Sequence, residues 1–390
     1  MHNGYDIVII GAGLIGTNVA YQLARKDCKI LVLEQTENAI PQYSSQGTTR
    51  ILGRAMGSEC SEYLDLLPIT KKILDRLASG ERKLYHKNNF YLIGEKNSEA
   101  LNFFLDDCQE RNIDYECTED DKDSLGIVKS KQTLDFLKEE NKYENDYISL
   151  LDVPITLNLL INNAKNNSVD FQFNYRVTQL SRDKNHIIVH TDKSIKIIRT
   201  KKLIICTNYQ LDFLPELSRL IFLLNVPLLY YKMPCLCKDS FCFVEKDVTL
   251  GLFVIPKELQ QPYYKVGMHR VSNNNSYEAI TLSNSAKSQF NIKQEISEKF
   301  NSYMKMPFEY AGDSTCMYGV TEDGLPIIDE IYANIYLLAG FNGNGAKHSF
   351  AFAYLLRKWL ETNKKPKMLS RFSMQRFSHY DTMKSTSLLR

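Results

Sequence analysis

Three features of the 390-residue sequence predict a mixed α/β and α+β architecture. An apolar strand, a glycine-rich turn, a helix and a second apolar strand succeed one another by Glu34. Four strand-like segments with no helix between them fill 228–269. A further apolar strand, a second glycine-rich loop and a long apolar helix occupy 334–361. The first and third features read as parts of one discontinuous α/β domain, and the second as an antiparallel-sheet domain set into it.

Each element has its own justification. Asp6-Ile7-Val8-Ile9-Ile10 is a continuous apolar run, the pattern of a parallel strand buried on both faces. Gly11-Ala12-Gly13-Leu14-Ile15-Gly16 turns the chain, Thr17 to Lys26 has helical periodicity, and Lys29 to Leu33 is the second strand. From about 60 to 145 the chain is richer in charge, with helical stretches at Tyr63 to Leu77 and Ser98 to Arg111 around a short strand, Phe90 to Ile93. Leu151 to Asn163 reads as a helix, and Val169 to Leu180 as two short strands. His186 to His190 with Ser194 to Ile198 reads as a hairpin, and Lys202 to Thr207 as a separate buried strand.

Strands are predicted at Leu228 to Lys232, Phe241 to Glu245, Leu250 to Ile255 and Tyr263 to His269. A helix around Ser285 to Lys299 follows, then the strand Asn334 to Gly340 and the helix Ser349 to Glu361. The division is therefore 1–60, 145–220 and 310–378 for one domain, 61–144 and 221–309 for a second, substrate-side domain, and a loose polar tail at 379–390.

Composition removes several function classes. Tyr 23 and Phe 19 are too many for a disordered chain. A formal net charge of +2 provides no global field to hold nucleic acid or an anionic membrane. The N-terminus lacks the features of a signal peptide, and the longest apolar stretch, Leu220 to Tyr231, is interrupted by Asn225 and Pro227. A soluble cytoplasmic protein is expected. Nine cysteines (Cys28, Cys60, Cys108, Cys117, Cys206, Cys235, Cys237, Cys242 and Cys316) include no CxxC pair, so reduced thiols are expected. Cys235, Cys237 and Cys242 lack a nearby fourth ligand, and His186 and His190 have no carboxylate or cysteine beside them; no metal is expected. The acidic run 119–123 reads as a solvated loop.

GAGLIG matches the dinucleotide fingerprint G-x-G-x-x-G in its proper context, after a strand and opening a helix. Gly11 permits the tight turn, Gly13 lets a pyrophosphate approach the helix N-terminus, and Gly16 allows close helix–sheet contact. Glu34, at the end of the next strand, is placed to accept hydrogen bonds from a ribose 2′-OH. NAD and FAD both fit this much. Ser44-Ser45-Gln46-Gly47-Thr48-Thr49-Arg50 supplies small hydroxyls and an arginine for the far side of a long diphosphate cofactor. With the discontinuous, Rossmann-like layout, this favours FAD.

On these blocks the sequence resembles the FAD-dependent amine oxidases of the D-amino acid oxidase superfamily, of the monomeric sarcosine oxidase and N-methyltryptophan oxidase type. Also similar are Tyr264-Lys265-Val266-Gly267-Met268-His269, Cys316-Met317-Tyr318 with the later Gly-Leu-Pro-Ile-Ile-Asp, the loop Ala339 to Lys347, and the ending around Leu369 to Phe377. The likeness runs from Tyr5 to about Phe377 but shows no pattern between 60 and 145.

The resemblance implies several roles. Cys316 would carry a thioether to FAD, which needs a nearby positive charge to favour the thiolate. Lys265 would lie over the flavin ring and stabilise charge developing on O2. Lys347 would hold a substrate carboxylate, and His269 would position the substrate. Ser44, Ser45, Thr49, Arg50, Val177, Gly343, Asn344 and Gly345 join Gly11, Gly13, Gly16, Glu34, Cys316 and Lys347 as cofactor-binding candidates. His348 takes no role from the resemblance.

One departure stands out. The family block reads T-R-I-I-R, and its second arginine shares the carboxylate. Here Gly53 takes that place and Arg54 follows one residue late, leaving Arg54 as the substrate-binding candidate. The implied reaction is oxidation of a secondary, N-methyl or cyclic amino acid at C–N to an imine, with O2 reduced to H2O2 by an enzyme expected to be a monomer. A biosynthetic tailoring enzyme that desaturates a modified or cyclic amino acid stays open, and so does a non-catalytic FAD-binding subunit.

Overall fold

The architecture is that of a computed structural model, which describes residues 4–37, 44–45, 47–52, 61–78, 83–95, 102, 106, 109, 115–117, 134–139, 149–183, 185–193, 197–233, 240–244, 252–258, 261–268, 284–304 and 308–377. The first unit is β1 (Gly4–Ile10), α1 (Leu14–Leu23) and β2 (Ile30–Leu33). β3 (Thr49–Leu52), α2 (Ser61–Ala78), β4 (Tyr85–Lys87), β5 (Phe90–Glu95), β6 (Tyr115–Cys117) and β7 (Leu134–Glu139) follow. Next come β8 (Ser149–Asp152), α3 (Val153–Asn166), β9 (Val169–Gln172), β10 (Val177–Arg182), β11 (Ile187–Thr191) and β12 (Ile198–Ile205). Then come β13 (Phe222–Lys232), β14 (Ser240–Val244), β15 (Leu252–Pro256), β16 (Tyr263–Met268) and α4 (Ala286–Tyr303). The last are β17 (Glu309–Val320), β18 (Ile327–Tyr332), β19 (Ile335–Ala339) and α5 (Gly345–Thr362).

The first sheet contains the parallel path β9-β2-β1-β12-β19, with β18 antiparallel on β19 and β10-β11 antiparallel on the start of β12. Both faces of its central strands are buried, which is why they read as unbroken apolar runs. Ile9, Val32, Ile204 and Leu338 face the helices α1 and α5. Val8, Leu31, Ile205 and Leu337 face Val177, Val189 and the turns at Leu211 to Ile221. Helix α2 lies on the same helical layer, through Tyr63 and Leu66 and through Leu67 and Leu74.

The second sheet has the order β17-β13-β16-β15-β14-β5-β7-β6 and is antiparallel except where β5 runs parallel to β14. Leu229, Tyr231, Val254 and Val266 pack on Ile292, Ile296 and Phe300 of α4. Side chains alternate along a strand, so Tyr230, Lys265 and Cys316 share the opposite face, as the cross-strand pairs Tyr230–Lys265 and Val226–Cys316 require. A third, small sheet, β3-β8-β4, carries Thr49 and Arg50.

The structure departs from the sequence reading in several places. Residues 149–152 form a strand, and the helix begins only at Val153, where the Asp152 carboxylate accepts the Ile155 N–H at 3.0 Å. Of the expected arm Ser194 to Ile198 only Ile198 belongs to a strand, residues 194–196 lying outside the described residues, and the expected strand Lys202 to Thr207 begins earlier, as β12 from Ile198. Its polar residues hid this, because Arg199 and Lys201 point outward while Ile198 and Thr200 are buried between them. The long β17 has no apolar alternation in its first half and carries no sequence signal. Arg54, His269, Cys235, Cys237, the acidic run, the tail and most of the stretch Ser98 to Arg111 lie outside the described residues.

Candidate active site

A cleft opens at the carboxyl ends of the parallel strands, where such sheets bind ligands. It contains about 1570 Å³ of space between atoms, part of it open to solvent. One end is formed by Glu34, Gln35 and Tyr175 to Val177, the middle by Gly11, Gly13 and Leu14, and the other end by Arg50, Cys316 to Gly319 and the loop at 341–346.

The glycine turn is sterically dictated. Gly11 has φ +99°, and a Cβ there would lie 2.9 Å from the Cys206 carbonyl oxygen. A Cβ on Gly16 would fall 1.9 Å from the Gly11 oxygen, so Gly16 packs the turn from within and does not line the cleft. Gly13 leaves the floor open below Ser45, whose Oγ accepts the Leu14 N–H at 3.1 Å. The Glu34 carboxylate accepts the Ala12 N–H at 2.8 Å and the Thr36 N–H at 3.1 Å. An acidic acceptor, a cradle without side chains at a helix N-terminus and a cationic far end suit the ribose, pyrophosphate and ring of a dinucleotide in that order.

At the cationic end, Arg50 donates to the carbonyls of Thr49 at 2.8 Å and Ser44 at 3.0 Å. Lys265 reaches across from β16, and its Nζ donates to the Thr49 carbonyl. Thr49 is itself held against β15 by its hydroxyl on the Pro256 oxygen. Burial pushes the Lys265 pKa well below the usual lysine range, the Arg50 charge lowers it further, and Cys316 opposes both. Burial raises the Cys316 pKa, while Arg50 and Lys265 pull it back down. Cys316, 6% exposed, therefore lines the cleft with the Arg50 and Lys265 side chains near it.

The structure brings together Gly11, Gly13, Glu34, Ser44, Ser45, Arg50, Val177, Cys316, Gly343 and Gly345 on the cleft wall. Asn344, Thr49 and Lys347 stand behind it, all buried. Lys347 occupies the first turn of α5, and its carbonyl accepts the Thr70 hydroxyl at 2.8 Å. The neighbouring His348 is 3% exposed and stacks on Tyr63 at 4.3 Å between ring centroids. Asn208 lines the cleft without having been picked out by sequence, and Tyr318 and Asn342, which belong to the similar blocks but were given no role, line it too. An asparagine just past a buried strand was the one local signal for Asn208. Among the described residues no group of acidic, histidine and cysteine side chains is arranged to hold a metal ion. No described helix is long and apolar enough to cross a membrane.

A family model described as FAD dependent oxidoreductase matches residues 6–359. The chain belongs to this family. Its fold, a discontinuous FAD-binding Rossmann-like domain with an antiparallel sheet, is that of the family, and FAD is the cofactor that the cleft accommodates. The chain is also similar to N-methyl-L-tryptophan oxidase of Escherichia coli O81 (strain ED1a), 22% identical over 395 residues that cover 96% of this chain and 99% of that protein. Among solved structures, NikD, an unusual amino acid oxidase essential for nikkomycin biosynthesis, superposes with TM-score 0.76 at 16% identity, covering 95% of this chain and 97% of its own. Glycine oxidase from Bacillus cereus ATCC 14579 does so with TM-score 0.72 at 16% identity, covering 96% and 99%.

Proposed function

We propose that this FAD dependent oxidoreductase oxidises a secondary, N-methyl or cyclic amino acid at its C–N bond, giving an imine and reducing O2 to H2O2. The observation that carries this reading is the meeting of buried Lys265, held on the Thr49 carbonyl, with Arg50 and Cys316, which line one end of the dinucleotide cleft. Bound FAD supplies the two-electron chemistry, accepting hydrogen from the carbon beside nitrogen and passing electrons to O2. The protein supplies orientation and charge. Lys265 is buried with its Nζ donating to the Thr49 carbonyl, and its protonated form stabilises negative charge as that charge develops on oxygen. Its depressed pKa makes the cation sensitive to pH, so the O2 step slows as pH rises through that value. Cys316 is the attachment point for FAD, with Arg50 and Lys265 favouring its thiolate. Lys347, from its buried place behind the cleft wall, and Arg54 hold the substrate carboxylate, and His269 positions the substrate. The domain division is 1–60, 145–220 and 310–378 for FAD binding and 61–144 and 221–309 on the substrate side, and the enzyme works as a cytoplasmic monomer.

The test is peroxide release from the purified holoenzyme on a panel of N-methyl and cyclic amino acids. Turnover with peroxide is expected, and Lys265→Met should slow reoxidation by O2 about 100-fold or more while reduction by substrate is much less affected. Substrate oxidation without peroxide would sink the oxidase reading and the Lys265 role together. A second reading, desaturation of a modified or cyclic amino acid in biosynthesis, is favoured by Gly53 in place of the family arginine and by the similarity to NikD. Product analysis separates the two: a ring carbon–carbon double bond in the product supports the second, and an imine or its hydrolysis product the first.

A further inference from the structure

We propose that Asn208 is a positioning residue: its amide locks Ser44 against the backbone of Met317 and so sets where Cys316 meets the cleft. This rests on the reading of the cleft as the FAD site. Asn208 follows β12 and lines the cleft, and its φ of +58° lies in the left-handed region. Only glycine and, less readily, asparagine or aspartate enter that region at low cost, and asparagine brings both a donor and an acceptor.

The partners fix which end of the amide is which. The Gly340 N–H can only donate, so it faces Asn208 Oδ1, at 3.3 Å. Nδ2 is left to donate to Ser44 Oγ at 3.0 Å. Ser44 then gives its own hydrogen to the Met317 carbonyl. The result is a directional chain from a backbone N–H through an amide and a hydroxyl to the carbonyl of Met317, the residue after Cys316. Two further contacts hold the same segment. The Tyr209 hydroxyl meets Met317 Sδ at 3.0 Å, and Gly319 lies so close that a Cβ there would be 2.4 Å from Asn208 Oδ1. Arg50 joins the chain by donating to the Ser44 carbonyl. One side chain thus connects β12, the segment at Ser44, β17 and the loop that opens α5.

Asn208→Asp is the diagnostic change because it preserves size and still accepts from Gly340 N–H. It has no proton for Ser44, so the Ser44 hydroxyl turns to the new carboxylate and leaves the Met317 carbonyl. Ser44→Ala breaks the same chain one step on, and Ser44→Thr keeps the hydroxyl. The readout is the fraction of flavin that stays with acid-precipitated holoenzyme. Asn208→Asp and Ser44→Ala are each expected to lower it about 10-fold. The double variant should be no worse than either single one, and Ser44→Thr should keep the wild-type value. Wild-type flavin retention in both single variants, or effects that simply add, would overturn the proposal. If wild-type protein releases all its flavin on precipitation, the covalent role of Cys316 fails and the FAD dissociation constant becomes the readout. About 10-fold weaker FAD binding by Asn208→Asp would then support the positioning role, and unchanged binding would overturn it.

Discussion

Cys316 and Cys206 are equally buried on the cleft and differ in their surroundings. Cys206 also lines the cleft, but there burial alone drives the pKa far up. Cys316 has Arg50 and Lys265 working against the same desolvation. Acid precipitation of the wild-type protein is therefore expected to give a yellow pellet, and Cys316→Ala a yellow supernatant. His348 makes a second prediction at this scale. Burial, with the charge of Lys347, holds its pKa well below 6.5, and its Nδ1 has no hydrogen-bond partner. Between that depressed value and about 6.5 the unfolded chain binds a proton that the folded protein refuses. Stability should thus fall as pH drops below about 6.5. His348→Phe, which keeps the stack on Tyr63, should flatten that slope in urea titrations at pH 5 and 7.

The elements that build the site are legible to different degrees. The β1–α1–β2 unit is written in its periodicity and in its glycines, and it is observed within three residues of each expected boundary. β17 was not legible, because Glu309 to Thr315 is polar and owes its extended form to pairing with β13 along eleven residue positions. The loop before α5 falls between these cases. Its glycines are visible in sequence, but the reason for Gly343 is tertiary: φ is +84° and a Cβ would lie 2.6 Å from the Tyr318 ring. Gly343→Ala is expected to cost about 1–3 kcal/mol and to reduce FAD retention, read from thermal unfolding and from the flavin-to-protein ratio.

At the scale of the molecule, the C-terminal segment is fastened to the first sheet by one carboxylate. Asp329, 8% exposed on β18, accepts Lys365 Nζ at 2.7 Å, the Ser373 hydroxyl at 2.6 Å and the Met374 N–H at 2.8 Å. Arg376 adds a bidentate contact to Asp323, and Asp323 also holds Thr321 and Leu325 beside the cleft loop. Asp329→Ala should destabilise by about 2–3 kcal/mol, since it leaves a buried N–H and a lysine without their acceptor. The urea midpoint measures this, and earlier proteolysis at the C-terminal end would accompany it.

By itself the sequence determined what local pattern can determine. Apolar runs, glycine spacing and the acidic residue at the end of β2 specify a dinucleotide-type turn, and the likeness of short blocks points to FAD. These are properties of residues a few positions apart, where the backbone's own periodicity carries the information. Only the tertiary structure decided the rest. Lys265 and Cys316 share a face because two strands pair with β13, and they meet Arg50 because the small sheet lies across the large one. Asn208 gained its place from partners 164 and 132 residues away. Such contacts have no period to read. They exist because burial makes each unpaired polar group costly, and the fold satisfies those groups with whatever distant chain it brings near.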